Sequence, residues 1–195
     1  MTTVDHVSHR LVAVDRAALR AHFLTLDPED RRLRFGNPLR DESIVEYVER
    51  IDFEHDEVFA VRDGDLSILG AVHVALGDGA AELGLSVLPH VRGRGIGNGL
   101  FERAVVHLRN RGAESVFVHC LAENAAMMHL ARKHGMRLAF EGGESDASVE
   151  LRPPTPETVI SEWMHDQHAD AVHSLRRNAL IARRLLAFLT PGRQG

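Results

Sequence analysis

Cysteine is almost absent. The 195-residue chain has one, Cys120, which excludes a disulfide within the chain and fits a reducing compartment. No apolar run approaches the roughly 20 residues that a membrane-crossing helix needs. The opening Met1-Thr2-Thr3-Val4-Asp5 lacks the basic and apolar blocks of a secretion signal. The expectation is a cytoplasmic protein with no membrane partner. A G-K-[ST] tripeptide, which closes a Walker phosphate loop, occurs nowhere. The formal net charge of −5 argues against a general nucleic-acid binder. His165, His168 and His173 share one segment but have no cysteine near them, so they read as a solvated helix face and no metal is expected.

What remains is ordinary globular material: 44% hydrophobic and 26% charged residues, enough for one domain with an appendage. Its most informative stretch is Ser86-Val87-Leu88-Pro89-His90-Val91-Arg92-Gly93-Arg94-Gly95-Ile96-Gly97-Asn98-Gly99. It joins an apolar run, Ala80 to Val87, to an amphipathic one, Leu100 to Arg111, and so reads as strand, tight turn, helix. Glycines at 93, 95, 97 and 99 clear side chains away from the backbone. The open amides at a helix start attract an anion, and Arg92 and Arg94 add charges suited to phosphate. A dinucleotide fingerprint G-x-G-x-x-G fails in both frames, because Asn98 or Leu100 falls on the third glycine. The pattern that fits is R-x-x-G-x-G, Arg92 to Gly97.

That pattern resembles the acetyl-coenzyme A pyrophosphate loop of the GNAT acyltransferase superfamily. Leu26-Asp27-Pro28-Glu29-Asp30-Arg31-Arg32-Leu33-Arg34-Phe35 is similar to the start of its protein-lysine acetyltransferase branch. Leu121 to Met136 resembles the GNAT helix that begins near an asparagine, here Asn124, with Met136 in place of the usual phenylalanine. The resemblance implies a mixed, mostly antiparallel α/β sheet flanked by helices, spanning 8–152. It implies acetyl-CoA as cosubstrate, held by Arg92, Gly93, Arg94, Gly95, Ile96 and Gly97. The pantetheine arm would lie on a bulged strand end near Val87, with Asn124 beside it. Family members carry a tyrosine seven residues after that asparagine to protonate the leaving thiolate. Here that position is Ala131, which leaves the general acid unassigned and keeps a second reading open: an acyl-CoA-binding sensor without turnover.

Other elements follow from pattern. A strand is expected at Arg10 to Val14, a helix after Asp15, and a helix start at Asp27-Pro28-Glu29, an acidic cap with proline at the first helical position. A further helix opens at Asp41-Glu42-Ser43. Strands at Glu57 to Arg62 and Ser67 to Leu76 flank Asp63-Gly64-Asp65, a hairpin signal. In Ala80 to Val87, residues 81, 83, 85 and 87 take one face, while Glu82 stands on the smaller-residue face and is free to project into a cleft. An ammonium acceptor must lose a proton before attacking a thioester, so Glu82 is the candidate general base, as the resemblance also implies. The acceptor is an amine, small molecule or protein lysine. Cys120 ends a strand without an acid–base partner and reads as structural.

Strands at Arg137 to Glu141 and Ala147 to Leu151 are expected to complete the sheet. After Pro153, Pro154 and Pro156 a helical extension, 156–190, runs with Ile160, Met164, Ala171, Leu175, Ala179, Ala182, Leu186 and Leu189 near one face and a bend expected near His168-Ala169-Asp170. That stripe requires cover from the domain, from a second copy as a homodimer, or from another protein.

Overall fold

The computed structural model describes residues 7–77 and 79–189. Seven strands form one sheet in the order β1-β2-β3-β4-β5-β7-β6. They are β1 (Ser8–Arg10), β2 (Glu57–Arg62), β3 (Ile68–Leu76), β4 (Ala80–Val87), β5 (Ser115–Leu121), β6 (Arg137–Glu141) and β7 (Glu144–Glu150). Every neighbouring pair is antiparallel except β4 and β5. The mixed, mostly antiparallel α/β architecture is the one the sequence implied. The first strand lies earlier than expected, and Ala13–Asp15 forms a 3-10 turn instead of continuing it.

Helices cover both faces. On one lie α1 (Arg16–Leu24), α2 (Pro28–Phe35) and α3 (Asp41–Arg50); on the other lie α4 (Ile96–Asn110) and α6 (Pro156–Leu189). Alternation along β2 and β3 explains the division. His73 faces Tyr47 of α3, whereas Glu57 faces His107 of α4. Leu19, Phe23, Ile44 and Val48 pack beneath the first face, and Leu100, Phe101, Ala104 and Leu108 beneath the second, all fully or almost fully buried. Asp27 caps α2 through the Asp30 amide at 2.8 Å, with Pro28 at the first helical position. No side chain caps α3, whose N-cap is Arg40. Asp15 does not cap α1; its carboxylate accepts from the Val12 amide and from Arg62 instead. Helix α5 (Ala125–Lys133) follows β5.

The C-terminal helix is continuous, and of the three covers open to its apolar stripe the domain is not used. It is one helix of 34 residues, about 50 Å of rise, with no interruption at Ala169. It also docks by its polar side. Arg103 of α4, almost fully buried, reaches Glu162 at 2.9 Å and Asp166 at 2.5 Å, and His107 reaches Glu162 at 2.6 Å. His165 lies 2.9 Å from the Ser8 carbonyl, His173 stacks on His9 at 5.0 Å, and Arg176 donates to the Arg62 carbonyl. The apolar stripe faces away: Ile160, Trp163, Met164, Leu175 and Leu186 are exposed. Polar side chains win the docking face because α4 and β1 present Arg103, His107, Asn110, Ser8 and His9 there, and those groups must be satisfied once buried. Thr155 and Thr158 cap the helix reciprocally, and Thr158 also donates to Asn110 at 2.8 Å.

Burial opposes ionisation of Glu162, but hydrogen bonds from Asn110, His107 and Arg103 outweigh it and pull the carboxyl down to about 2 from 4.5. Its folded pKa being depressed, the carboxylate stabilises the fold above pH ~4.5, and that contribution is lost as pH falls toward 2. We expect Glu162→Gln to lower the unfolding free energy at pH 7 by about 3 kcal/mol, because the buried Arg103 loses a counter-charge and His107 and Asn110 lose a charged hydrogen-bond partner. In urea titrations the gap between the two proteins should close on acidification from pH 5 to about 2; a gap independent of pH contradicts this.

Candidate active site

Only three residue pairs join β4 to β5: Ala80 with Ser115, Ala81 with Val116 and Glu82 with Phe117. Beyond them the two strands part. On its other side β4 stays paired to β3 as far as Val87, in unbroken register, so the opening arises from divergence of β5 and not from the bulge expected in β4. The Leu88 amide donates to the Leu69 carbonyl of the β3 side. Alternation then directs the backbone N–H and C=O groups of Leu85 and Val87 the other way, into the gap. The Val87 carbonyl is met there by Arg92 Nε at 3.1 Å.

A 3-10 turn, Pro89–Val91, leads from β4 to the glycine-rich corner. Gly93 and Gly95 hold φ of +73° and +84°, the left-handed region that L side chains resist. Gly95 is the N-cap of α4 and offers no side-chain cap, which leaves the first-turn amides open. Arg92 is tied to the buried Asp30 of α2 at 2.6 Å, and Arg94 reaches the His90 carbonyl at 3.4 Å. Across the gap stands Lys133, the only lysine in the chain, 2.5 Å from Asn98 Oδ1. Arg92, Gly93, Asn98 and Lys133 line, with Val87, Gly95, Gly97 and Leu130, a cavity of about 420 Å³.

A second cavity of about 320 Å³ opens on the side of the sheet that carries Glu82, with Tyr47, Phe35, Leu39, Cys120 and Glu144 in its wall. Five residues belong to both cavities: Leu33, Arg34, Leu85, Asn124 and Met127. Arg34 is the one full charge among them. Its guanidinium lies against the rings of Phe23, Phe35 and Tyr47, at 5.6, 4.7 and 5.6 Å from their centres. It also covers Gly84 so closely that a Cβ there would fall 2.2 Å from Nη2. Only glycine admits that approach. Arg34 Nη2 donates to the Tyr47 oxygen at 2.9 Å, and Tyr47 lies 2.7 Å from His73 Nδ1. Burial, reinforced by the Arg34 charge, holds His73 below the usual histidine range, and its Nε2 lies 3.2 Å from Asp56.

Glu82 stands exposed in the second cavity, two residues from Gly84 on the same face of β4. Val87, Arg92, Gly93, Gly95, Ile96, Gly97 and Asn124 all line the first, while Arg94 lies outside its wall. Asn124 caps α5, accepting from the Met127 amide at 3.0 Å, and donates to the Leu33 carbonyl at 3.1 Å. Burial pushes the Cys120 thiol up, which keeps it protonated and unreactive. Ala131 is fully buried. Sequence reasoning missed Arg34, Tyr47 and Lys133. The first two sit on helices whose docking on the sheet no local pattern specifies; the third had a readable signal, a cation in the last turn of the motif helix. Among the described residues no group of three or more His, Cys, Asp or Glu is arranged to hold a metal ion, and no helix is long and apolar enough to cross a membrane.

A sequence profile described as the Acetyltransferase (GNAT) family matches residues 23–136. Curated proteins yield no match. Solved structures share the fold. The GNAT domain of PAT from S. lividans superposes with a TM-score of 0.63 at 21% identity, over 74% of this chain and 89% of that one. Spermidine N-acetyltransferase from Vibrio cholerae, solved in complex with CoA and spermine, gives 0.58 at 18% identity, over 74% and 94%. Ribosomal-protein-alanine N-acetyltransferase from Brucella melitensis gives 0.56 at 17% identity, over 74% and 99%. Profile, sheet and the parted β4 and β5 agree: the chain belongs to the GNAT acetyltransferase family.

Proposed function

We propose that this acyltransferase moves an acetyl group from acetyl-CoA to an amine acceptor, small molecule or protein lysine, by direct attack. The observation that carries the reading is the pair of cavities meeting at Arg34 and Leu85: one is lined by open helix-start amides and cations suited to a diphosphate, the other holds a carboxylate. Gly93 to Gly97 would receive the pyrophosphate on backbone amides, with Arg92 and Lys133 supplying positive charge and Ile96 packing the corner onto the core. Arg94, outside the wall, is placed to meet phosphate from solvent. The amides of Leu85 and Val87 would pair with the pantetheine arm as a strand neighbour, and one of them would donate to the thioester oxygen. Asn124 fixes the start of α5 beside that arm.

Glu82 acts as the general base, directly or through water. An ammonium entering the second cavity meets Glu82 and Glu144, which favour a cation; Glu82 takes its proton and the free amine attacks the carbonyl. Relatives acting on spermidine and on ribosomal-protein alanine both use amine acceptors, in keeping with an amine here.

The outer face of α6 suits a second copy. Exposed acids, Glu157 and Asp170, lie in its N-terminal half and exposed bases, Arg177 and Arg184, in its C-terminal half. Antiparallel pairing of two such helices sets the acidic half of one against the basic half of the other beside the apolar stripe.

Thiol release from acetyl-CoA with a panel of lysine peptides and polyamines tests the chemistry. Glu82→Gln should lower kcat by about 10²- to 10³-fold while CoA affinity stays within threefold; unchanged turnover rules Glu82 out as base. Gly95→Val forces a β-branched residue into left-handed backbone, and calorimetry should find CoA affinity reduced at least about tenfold, with a stability loss of about 1–2 kcal/mol. In light scattering the native chain should have the mass of a dimer and Trp163→Asp/Leu175→Asp that of a monomer. A native monomer at micromolar concentration excludes the α6 interface.

A further inference from the structure

With alanine at position 131, fully buried, no side chain there can protonate the departing thiolate. Tyr47 is the chain's only tyrosine, and the fold brings it into the acceptor cavity. Its hydroxyl is already committed on both sides. The oxygen accepts from Arg34 Nη2 at 2.9 Å and lies 2.7 Å from His73 Nδ1. A hydroxyl so held anchors a neighbour better than it gives up a proton.

The group it anchors is Arg34. Three rings and one hydrogen bond hold the guanidinium over Gly84, where it lines both cavities. Its Nε is buried and has no hydrogen-bond partner. A buried donor on a charged group is costly to leave unmet unless a ligand meets it. Arg34 and Glu82 line the same acceptor cavity, and the hydrogen bond recorded for the guanidinium goes to Tyr47, not to that carboxylate.

Resting on the acetyl-transfer reading above, we propose that Arg34 is a catalytic residue that stabilises the coenzyme A thiolate as it leaves, by charge in place of proton donation. Tyr47, backed by His73 and Asp56, is the residue that positions it. The steps balance without an acid. Glu82 accepts one proton from the ammonium and passes it to solvent, to which it is exposed. The amine lone pair forms the C–N bond as the C=O pair moves onto oxygen. When that pair returns, the C–S bond breaks and its electrons leave on sulfur as a thiolate opposite Arg34. The second nitrogen proton goes to Glu82. The products are the amide, the thiolate and two protons delivered to water. A thiol is acidic enough to leave in this form, provided a fixed cation offsets its charge in a partly desolvated cleft.

The test titrates the thiol of bound CoA by its ultraviolet thiolate absorbance, without any acceptor present. In the native protein the bound thiol should ionise at least about one pH unit below the free thiol, a tenfold change in acidity. Arg34→Gln should abolish that shift and lower kcat about a hundredfold, with CoA affinity within threefold of native. Arg34→Lys should keep most of the shift, since it retains the charge. Tyr47→Phe should keep KM for acetyl-CoA while reducing both kcat and the shift, as expected of a positioning residue. If CoA binds but its thiol ionises as in solution, or if Arg34→Gln leaves the shift intact, the assignment of Arg34 is overturned and the acetyl-transfer reading stands. If CoA does not bind at all, both fall. The native titration alone decides the negative case, so an unstable variant does not shelter the idea.

Discussion

Three backbone pairings hold β4 to β5 and then the strands separate. Nearly everything functional depends on that separation. A continuous sheet would satisfy the amides of Leu85 and Val87 internally and bury them against a neighbour. Because β5 turns away, those groups open onto a cleft, α2 and α5 become its side walls, and the turn after β4 lies at its mouth. The β3–β4 pairing on the other side keeps Glu82, Gly84 and Val87 in fixed register along one edge, so that the Glu82 carboxylate, the mouth of the cleft and the glycine corner are spaced by backbone geometry and not by flexible side chains.

Charge is distributed with the same economy. The cleft's cations are restrained by neighbours: Arg92 by Asp30, Lys133 by Asn98, Arg34 by Tyr47 and three rings. Restrained donors need little reorganisation when an anion arrives, which is the physical basis of electrostatic preorganisation. On the far face, the Arg103, His107 and Glu162 group performs a purely structural task, fastening α6 to α4 through buried polar contacts. Those contacts set the rotation of α6 so that its apolar side points outward.

Much of this was legible in the residues. The strand–turn–helix at 80–111 was visible because apolar alternation stops at a proline and a run of glycines, and the fold class followed from the family resemblance it carried. Glu82 stood out as an acid on the small-residue face of a strand. The rest is tertiary. Arg34 reads in sequence as one more arginine on an amphipathic helix; only the packing of α2 across Gly84 sets it between two cavities. Tyr47 lies 35 residues from Glu82 and meets its cavity through α3. The outward face of α6 ran against pattern, since an apolar stripe ordinarily predicts burial, whereas here the partners waiting on α4 and β1 were polar. The expected bulge in β4 was likewise a family expectation that the intact register replaced with divergence of β5.

The central claim is that coenzyme A occupies the gap between β4 and β5 with its diphosphate on the glycine corner. Backbone amide spectra recorded during a CoA titration test it most directly. The account predicts that the amides of Leu85, Val87 and Gly93 to Gly97 shift together with one saturation curve and become protected from hydrogen exchange, while those of α6 do not change. Saturable shifts confined to other parts of the chain, or a titration that leaves the Gly93 to Gly97 amides unmoved, would contradict it.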